Sequence, residues 1–160
     1  NLVEKLENLS YYDQLTGAKN RHALNEQLAS LTKGQSLGVL YSDVMGLKQI
    51  NDTFGHQAGD KALLYACENL KSHFPAECVY RIGGDEFLVL IPGITENLFQ
   101  SMIRSILADM AEGSVHLALG SVWVDCTDNA EKTLSEADAR MYEDKRAYYA
   151  KNRQLDRRRR

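Results

Sequence analysis

Cys78-Val-Tyr-Arg-Ile-Gly-Gly-Asp-Glu-Phe-Leu-Val-Leu-Ile91 decides how this chain folds. Two strand-like runs, 78–82 and 86–91, flank Gly83-Gly84-Asp85, and glycines that can take positive φ there predict a tight hairpin. Upstream, Leu37-Gly-Val-Leu-Tyr-Ser-Asp43 is apolar on both faces, as a central strand is. Val115 to Val124 reads as another strand. Helical periodicity fills the intervals: Asn20–Leu31, roughly Ala58–His73, Leu98–Met110, and Leu134 to about Tyr149. Helices alternating with strands, but with a hairpin in the middle, predict an α/β or α+β sandwich on a mixed sheet rather than a doubly wound parallel one. Leu2, Leu6 and Leu9 recur at helical spacing before Ser10. A helix packed on its own domain and a linker arriving from an upstream region fit that pattern equally well.

Composition bounds the answer less tightly. A chain of 160 residues, 44% hydrophobic and 26% charged, is one ordinary globular domain with room for a real core. It begins Asn1-Leu2-Val3-Glu4, without the basic start and apolar segment of a signal peptide, and no run of 18 apolar residues spans a membrane. A start at Asn predicts a fragment of something longer. Cys67, Cys78 and Cys126 are odd in number and widely spaced, which predicts buried thiols in a reducing cytoplasm rather than metal ligands. Residues 151–160 hold six of the 19 basic residues and one of the 22 acidic ones, so the first 150 carry a net −8. An acidic body argues against nucleic-acid binding, and the Arg157–Arg160 run reads as a solvated tail.

The chemistry gathers at one place. Asp43 closes a buried strand and Asp85-Glu86 sits at the hairpin tip, so pairing the strand with the hairpin brings three carboxylates to one sheet edge. Such acids raise one another's pKa unless a cation intervenes, and carboxylates with a main-chain carbonyl suit Mg²⁺. Two such ions can clamp a triphosphate for in-line phosphoryl transfer. Turn acids standing in water remain the plain alternative on these residues alone.

Four motifs in order resemble the GGDEF domain family. Tyr80-Arg-Ile-Gly-Gly-Asp-Glu-Phe-Leu-Val89 is similar to its signature, and Asp13-Gln-Leu-Thr-Gly-Ala-Lys-Asn-Arg21 to its opening D-x-L-T-G-x-x-N-R motif. Asp43-Val44 followed by Lys48-Gln-Ile-Asn-Asp-Thr-Phe-Gly-His-Gln-Ala-Gly-Asp60 matches the K-x-x-N-D-x-x-G-H-x-x-G-D block, and Ala137-Asp138, Tyr142 and Lys145 resemble the closing helix. The resemblance implies an α+β domain over residues 11–150, with a mixed, largely antiparallel central sheet flanked by helices, palm-like as in nucleotidyl cyclases. Residues 1–10 would then be a linker helix from a missing upstream region and 151–160 a basic tail.

The resemblance also implies a function: a diguanylate cyclase joining two GTP into cyclic di-GMP with release of two pyrophosphates. Asp43, the Val44 carbonyl and Asp85 would hold two Mg²⁺ ions, with Mn²⁺ able to substitute. Asp85, helped by Glu86, would take the 3′-hydroxyl proton, and Lys48 would stabilise transition-state charge. Gly46, Leu47 and Lys48 would meet the β- and γ-phosphates, and Lys145 would reach them from the far side. Asn51, His56 and Asp60 would bind guanosine; a carboxylate at Asp60 accepts from guanine N1–H and the 2-amino group together. An exposed lysine at 48, a capping histidine at 56 and a solvated lysine at 145 are the plainer readings of those three. The implied partners are a second copy of the domain and an upstream sensor, in a cytoplasmic domain without membrane contact. A non-catalytic module that binds GTP and regulates a neighbour is the alternative, and the polymerase palm lacks support in so short and acidic a chain. Met45 and Tyr149 replace a common Asp and Arg of the family. Phe74-Pro75-Ala76-Glu77 stands where relatives carry an R-x-x-D product site, which predicts no tight product inhibition there.

Overall fold

The computed structural model describes the backbone of residues 1–159 and the side chains of residues 1–153, which leaves the side chains of the Arg157–Arg160 run outside the described residues. Its centre is β1 (Leu37–Val44), inside a four-stranded sheet of order β2-β3-β1-β4, with β2 at Val79–Arg81, β3 at Glu86–Pro92 and β4 at Leu117–Val124. All three strand pairings are antiparallel. The parallel pairing expected of a mixed sheet is confined to an isolated bridge between Lys19 and Tyr80.

Side chains alternate along a strand, and β1 uses both faces. Leu40 and Val44, with Phe87, Val89 and Ile91 of β3, meet α4 (His56–His73) and α5 (Glu96–Glu112) in one core. Leu37 and Val39, with Leu88 and Leu90 of β3, meet α2 (Arg21–Ser30) and α6 (Ala130–Arg159) in the other. Asp43 and Glu86 share the parity of the second set, so both carboxylates belong to the face that α6 covers.

Three readings of the sequence need correction. The hairpin between β2 and β3 forms, but neither Gly83 nor Gly84 takes positive φ. Its loop is wider than a two-residue turn, and Ile82 N–H donates to the Glu86 carbonyl at 3.0 Å. A short helix, α3 (Leu47–Phe54), precedes α4, which begins at His56 rather than at Ala58. His56 therefore heads a helix. The last helix is longer than its apolar periodicity, because residues 150–159 are mostly charged and give no hydrophobic stripe to read. At its other end, Asn129 Oδ1 accepts the Lys132 N–H at 3.2 Å and caps the first turn.

α1 (Leu2–Tyr11) begins with a capping box between Asn1 and Glu4 and buries none of its residues. Leu2, Leu6 and Leu9 are exposed. Its hold on the domain is at its end, where the Tyr11 hydroxyl donates to Glu26 of α2 and the Tyr11 ring lies 5.3 Å from that of His22.

At Gly120 of β4 the last helix meets the sheet backbone to backbone. A Cβ there would lie 2.2 Å from both the Ala137 carbonyl oxygen and the Met141 nitrogen of α6. These are backbone atoms, so no rotamer change can relieve the clash. Gly120→Ala is expected to destabilise the domain by about 2–3 kcal/mol, an overpacking cost, measurable as a lowered urea midpoint with unchanged slope. A midpoint equal to that of the unaltered chain would mean that α6 does not sit on β4 this closely.

Candidate active site

Asp43 and Glu86 are direct partners in the β1–β3 ladder. One residue further, Val44 N–H donates to the Asp85 carbonyl at 2.8 Å, so the hairpin tip is bonded to the strand end. Carboxylate oxygens of Asp43, Asp85 and Glu86 consequently lie within 4.8 Å of one another. The sequence places these acids together only if β1 lies beside β3, and it does.

Burial sharpens the conflict. The Asp43 side chain is 3% exposed, and its Oδ1 has no hydrogen-bond partner. Its other oxygen accepts from Lys145 Nζ of α6 at 2.7 Å. Burial, reinforced by Asp85, raises the Asp43 carboxyl to about 6 despite the opposing pull of Lys145. Burial also raises Glu86, with Asp85 and Asp138 adding to it. An orphaned buried oxygen among three acids is the donor set of a hard divalent cation, since oxygen ligands are what Mg²⁺ takes. The residues present therefore fit such an ion.

The neighbouring backbone suits an anion. β1 runs through Met45 into Gly46, whose φ of +70° caps α3 without a side chain. The first amides of a helix have no intrahelical acceptor, and the helix dipole is positive there. Leu47 and Lys48 open that helix, and Lys48 is exposed. Asn51, one turn on, has a buried and unpartnered Oδ1. It sits against Gly59 of α4, where a Cβ would fall 1.8 Å from that oxygen. His56 and Asp60 lie exposed on the first turns of α4. The structure thus gathers Asp43, Val44, Asp85, Glu86 and Lys145 at the strand ends, with Gly46–Lys48 following directly from β1. Asn51, His56 and Asp60 form a second group where α3 turns into α4.

The opening motif serves this site as support, a role its residues alone did not reveal. Arg81 pairs with Asp13 at 3.0 Å and donates to the Gly84 carbonyl at 2.7 Å, steadying the hairpin tip. Burial pushes the Asp13 carboxyl up, but bonds from Thr16 and Arg81 outweigh it and leave it below the usual range. Asn20 caps α2 through the Ala23 N–H, and Arg21 Nε reaches the Ile82 carbonyl. Asp13 and Arg81 stand 68 residues apart, and no local pattern in the sequence joins them.

The departures find places too. Met45 is buried with Ala118 and Met141, against Tyr41 and Tyr148, so it fills a small core rather than the acid cluster. Tyr149 lies on the outer face of α6 with Tyr142, Lys145, Arg146 and Arg153. Phe74 is 3% exposed inside the main core, where it offers nothing to a ligand.

Clustered acids cost stability when no cation is bound. Because the Asp43 carboxyl is raised, the native state holds its proton more tightly than the unfolded chain does. That penalty is absent below the unfolded value near 4 and fully present once pH exceeds about 6. In metal-free buffer at pH 8, Asp85→Asn is expected to stabilise the domain by about 1 kcal/mol, raising Tm by about 3 °C. The gain should fade as pH falls through 6, and a destabilised variant at pH 8 would contradict this account.

Comparison with known proteins agrees with the geometry. The family model described as "Diguanylate cyclase, GGDEF domain" matches residues 10–151. Diguanylate cyclase DgcP of Escherichia coli is 35% identical over 154 residues, covering 86% of this chain and 45% of that protein. Cyclic di-GMP phosphodiesterase PdeB of Shewanella oneidensis is 35% identical over 117 residues, covering 72% of this chain and 14% of that protein. The chain thus spans less than half the length of these curated relatives. Among solved structures, the coiled coil and GGDEF domain of DgcB from Caulobacter crescentus, in complex with c-di-GMP, aligns with a TM-score of 0.80. That alignment covers 91% of this chain and 86% of the other at 21% identity, a likeness of fold. With the family model covering nearly the whole chain and the signature acids meeting at one sheet edge, this chain belongs to the GGDEF domain family.

Proposed function

We propose that the domain is a diguanylate cyclase, condensing two GTP into cyclic di-GMP and two pyrophosphates. The observation that carries this reading is the cluster of Asp43, Asp85 and Glu86, with one buried Asp43 oxygen unpartnered, beside the open start of α3. Asp43, Asp85 and the Val44 carbonyl would hold two Mg²⁺ or Mn²⁺ ions. Such ions neutralise phosphate charge and acidify a bound hydroxyl.

This chain's own residues supply the remainder. The amides of Gly46, Leu47 and Lys48 receive the β- and γ-phosphates, and the Lys48 ammonium stabilises charge as the leaving group departs. The 3′-oxygen of one nucleotide forms a bond to the α-phosphorus of the other, the α–β bridging bond breaks, and pyrophosphate leaves. Asp85 accepts the hydroxyl proton, with Glu86 as the second acceptor. Asp60, Asn51 and His56 hold the guanine. Among the described residues there is one such acid cluster, so a second copy of the domain must present the second GTP across a two-fold pairing. An upstream sensor would control that pairing through α1.

With GTP and Mg²⁺, the protein is expected to form cyclic di-GMP at a specific activity that rises with protein concentration. Asp43→Ala and Asp85→Ala should each lower it at least about 100-fold with circular dichroism unchanged. Full activity in the double variant would end this reading. The identity to PdeB favours a second one, a GTP-binding module regulating a neighbouring domain. GTP binding without turnover in the unaltered chain, at any protein concentration, would establish it.

Guanine selection gives a separate test. A site built on paired donors and acceptors rejects an analogue that leaves them unpaired, by about 10⁴-fold or more. Calorimetry should show strong preference for GTP over ATP, relaxed at least about tenfold by Asp60→Ser. Gly59→Ala, which forces Asn51 from its seat, should weaken GTP binding without touching the acid cluster. Equal affinities for ATP and GTP in the unaltered chain would remove Asp60 and Asn51 from this role.

A further inference from the structure

Lys145 is expected to face phosphate, yet its ammonium lies 2.7 Å from Asp43 Oδ2, bonded to a carboxylate that is 3% exposed while Lys145 itself is 30% exposed. The lysine is therefore a tether from the solvent side onto a buried acid. That acid is also the one whose other oxygen has no partner.

The backbone beneath Lys145 is held firmly. Arg140 donates to the Ser121 carbonyl at 2.6 Å, and Asp144 accepts the Leu119 N–H at 2.9 Å. Tyr148 stacks on His116 with ring centroids 4.6 Å apart. α6 also meets Gly120 backbone to backbone. What remains free to move is the four-carbon stem of Lys145 and its ammonium. On the outer side it borders the open face of α6 that Arg146, Arg153 and Glu143 share. Two guanidinium groups against the one carboxylate of Glu143 leave that face net positive, which favours an anion beside the ammonium.

We infer that Lys145 is the resident counter-ion of Asp43, displaced when a divalent cation takes that carboxylate and thereby released to meet phosphate. The inference rests on the metal reading of the acid cluster given above. It adds that the cation and the ammonium compete for one carboxylate. A cation on Oδ1 and the ammonium on Oδ2 face each other across one carboxylate, and their repulsion weakens the hold of Lys145. An ammonium that leaves the acid only on cation binding makes the phosphate-binding form of the site conditional on the cation. Such reciprocity is what linkage requires of two ligands coupled through one group.

The test is Mn²⁺ binding to the nucleotide-free protein, followed by electron paramagnetic resonance at pH 8, for the unaltered chain, Lys145→Met, Arg146→Met and Asp43→Asn. Lys145→Met should bind Mn²⁺ about tenfold more tightly, the scale of a partly buried ion pair. Arg146→Met removes the same charge one residue away and should change affinity by no more than about twofold. In the unaltered chain, ¹⁵N resonance of the lysine ammonium groups should show the Lys145 signal, slowed by its ion pair, shifting as Mg²⁺ is added. Equal or weaker Mn²⁺ binding by Lys145→Met, or a Lys145 signal unmoved at saturating Mg²⁺, overturns the inference. Mn²⁺ binding that survives Asp43→Asn, or is absent from every variant, overturns the metal reading instead.

Discussion

The antiparallel register of β1 on β3 places Asp43 opposite Glu86, and the Val44 N–H on the Asp85 carbonyl extends that ladder to the hairpin tip. Three acids are thereby held within 4.8 Å at the cost of mutual repulsion. A register slipped by one residue would send every second side chain to the opposite face and disperse them. The apolar pairs above the acids oppose such a slip. Leu40, Val89 and Phe87 serve one core while Val39, Leu88 and Leu90 serve the other, so any slip exposes both sets.

The hairpin tip needs more than its ladder, because its glycines leave it wide. Arg81 and Asp13 join it to the opening motif, and Arg21 reaches the Ile82 carbonyl from the start of α2. These contacts are partly buried, where a charge-assisted hydrogen bond is stronger than at the surface. The opening motif is therefore a buttress for the acids, and its distance along the chain from the signature hides that service. On the other side, α6 lies on Gly120 and delivers Lys145 to Asp43. Stability and function oppose each other here, since the fold keeps acids together that would separate if they were free.

Two of the departures from the family pattern, Met45 and Tyr149, differ in kind. Met45 is absorbed by packing, with Met141 and Ala118 around it, and leaves the acids as they are. Tyr149 changes the charge of a face of α6 that Arg146 and Arg153 still occupy. One is a repacked core position, and the other alters the surroundings of Lys145.

Much of this molecule was legible from local pattern. Apolar runs marked β1 and β3, period-3.6 stripes marked α2, α4 and α5, and the motif order placed Asp43, Asp85, Asn51 and Asp60 in one domain. Local pattern failed where it carries no hydrophobic stripe or no unique conformation: at α3, whose eight residues include Asn51, Asp52 and Thr53, at the charged end of α6, and at Gly83-Gly84. Glycine permits positive φ without requiring it, so the tip's shape waited on Arg81 and the ladder. The meeting of Lys145 with Asp43, 102 residues apart, belongs to tertiary structure alone. Side-chain type and spacing follow from the chain itself, but which buried acid a distant lysine neutralises depends on where α6 crosses the sheet. That crossing is set by backbone contact at Gly120, a close approach that the bare sequence does not disclose.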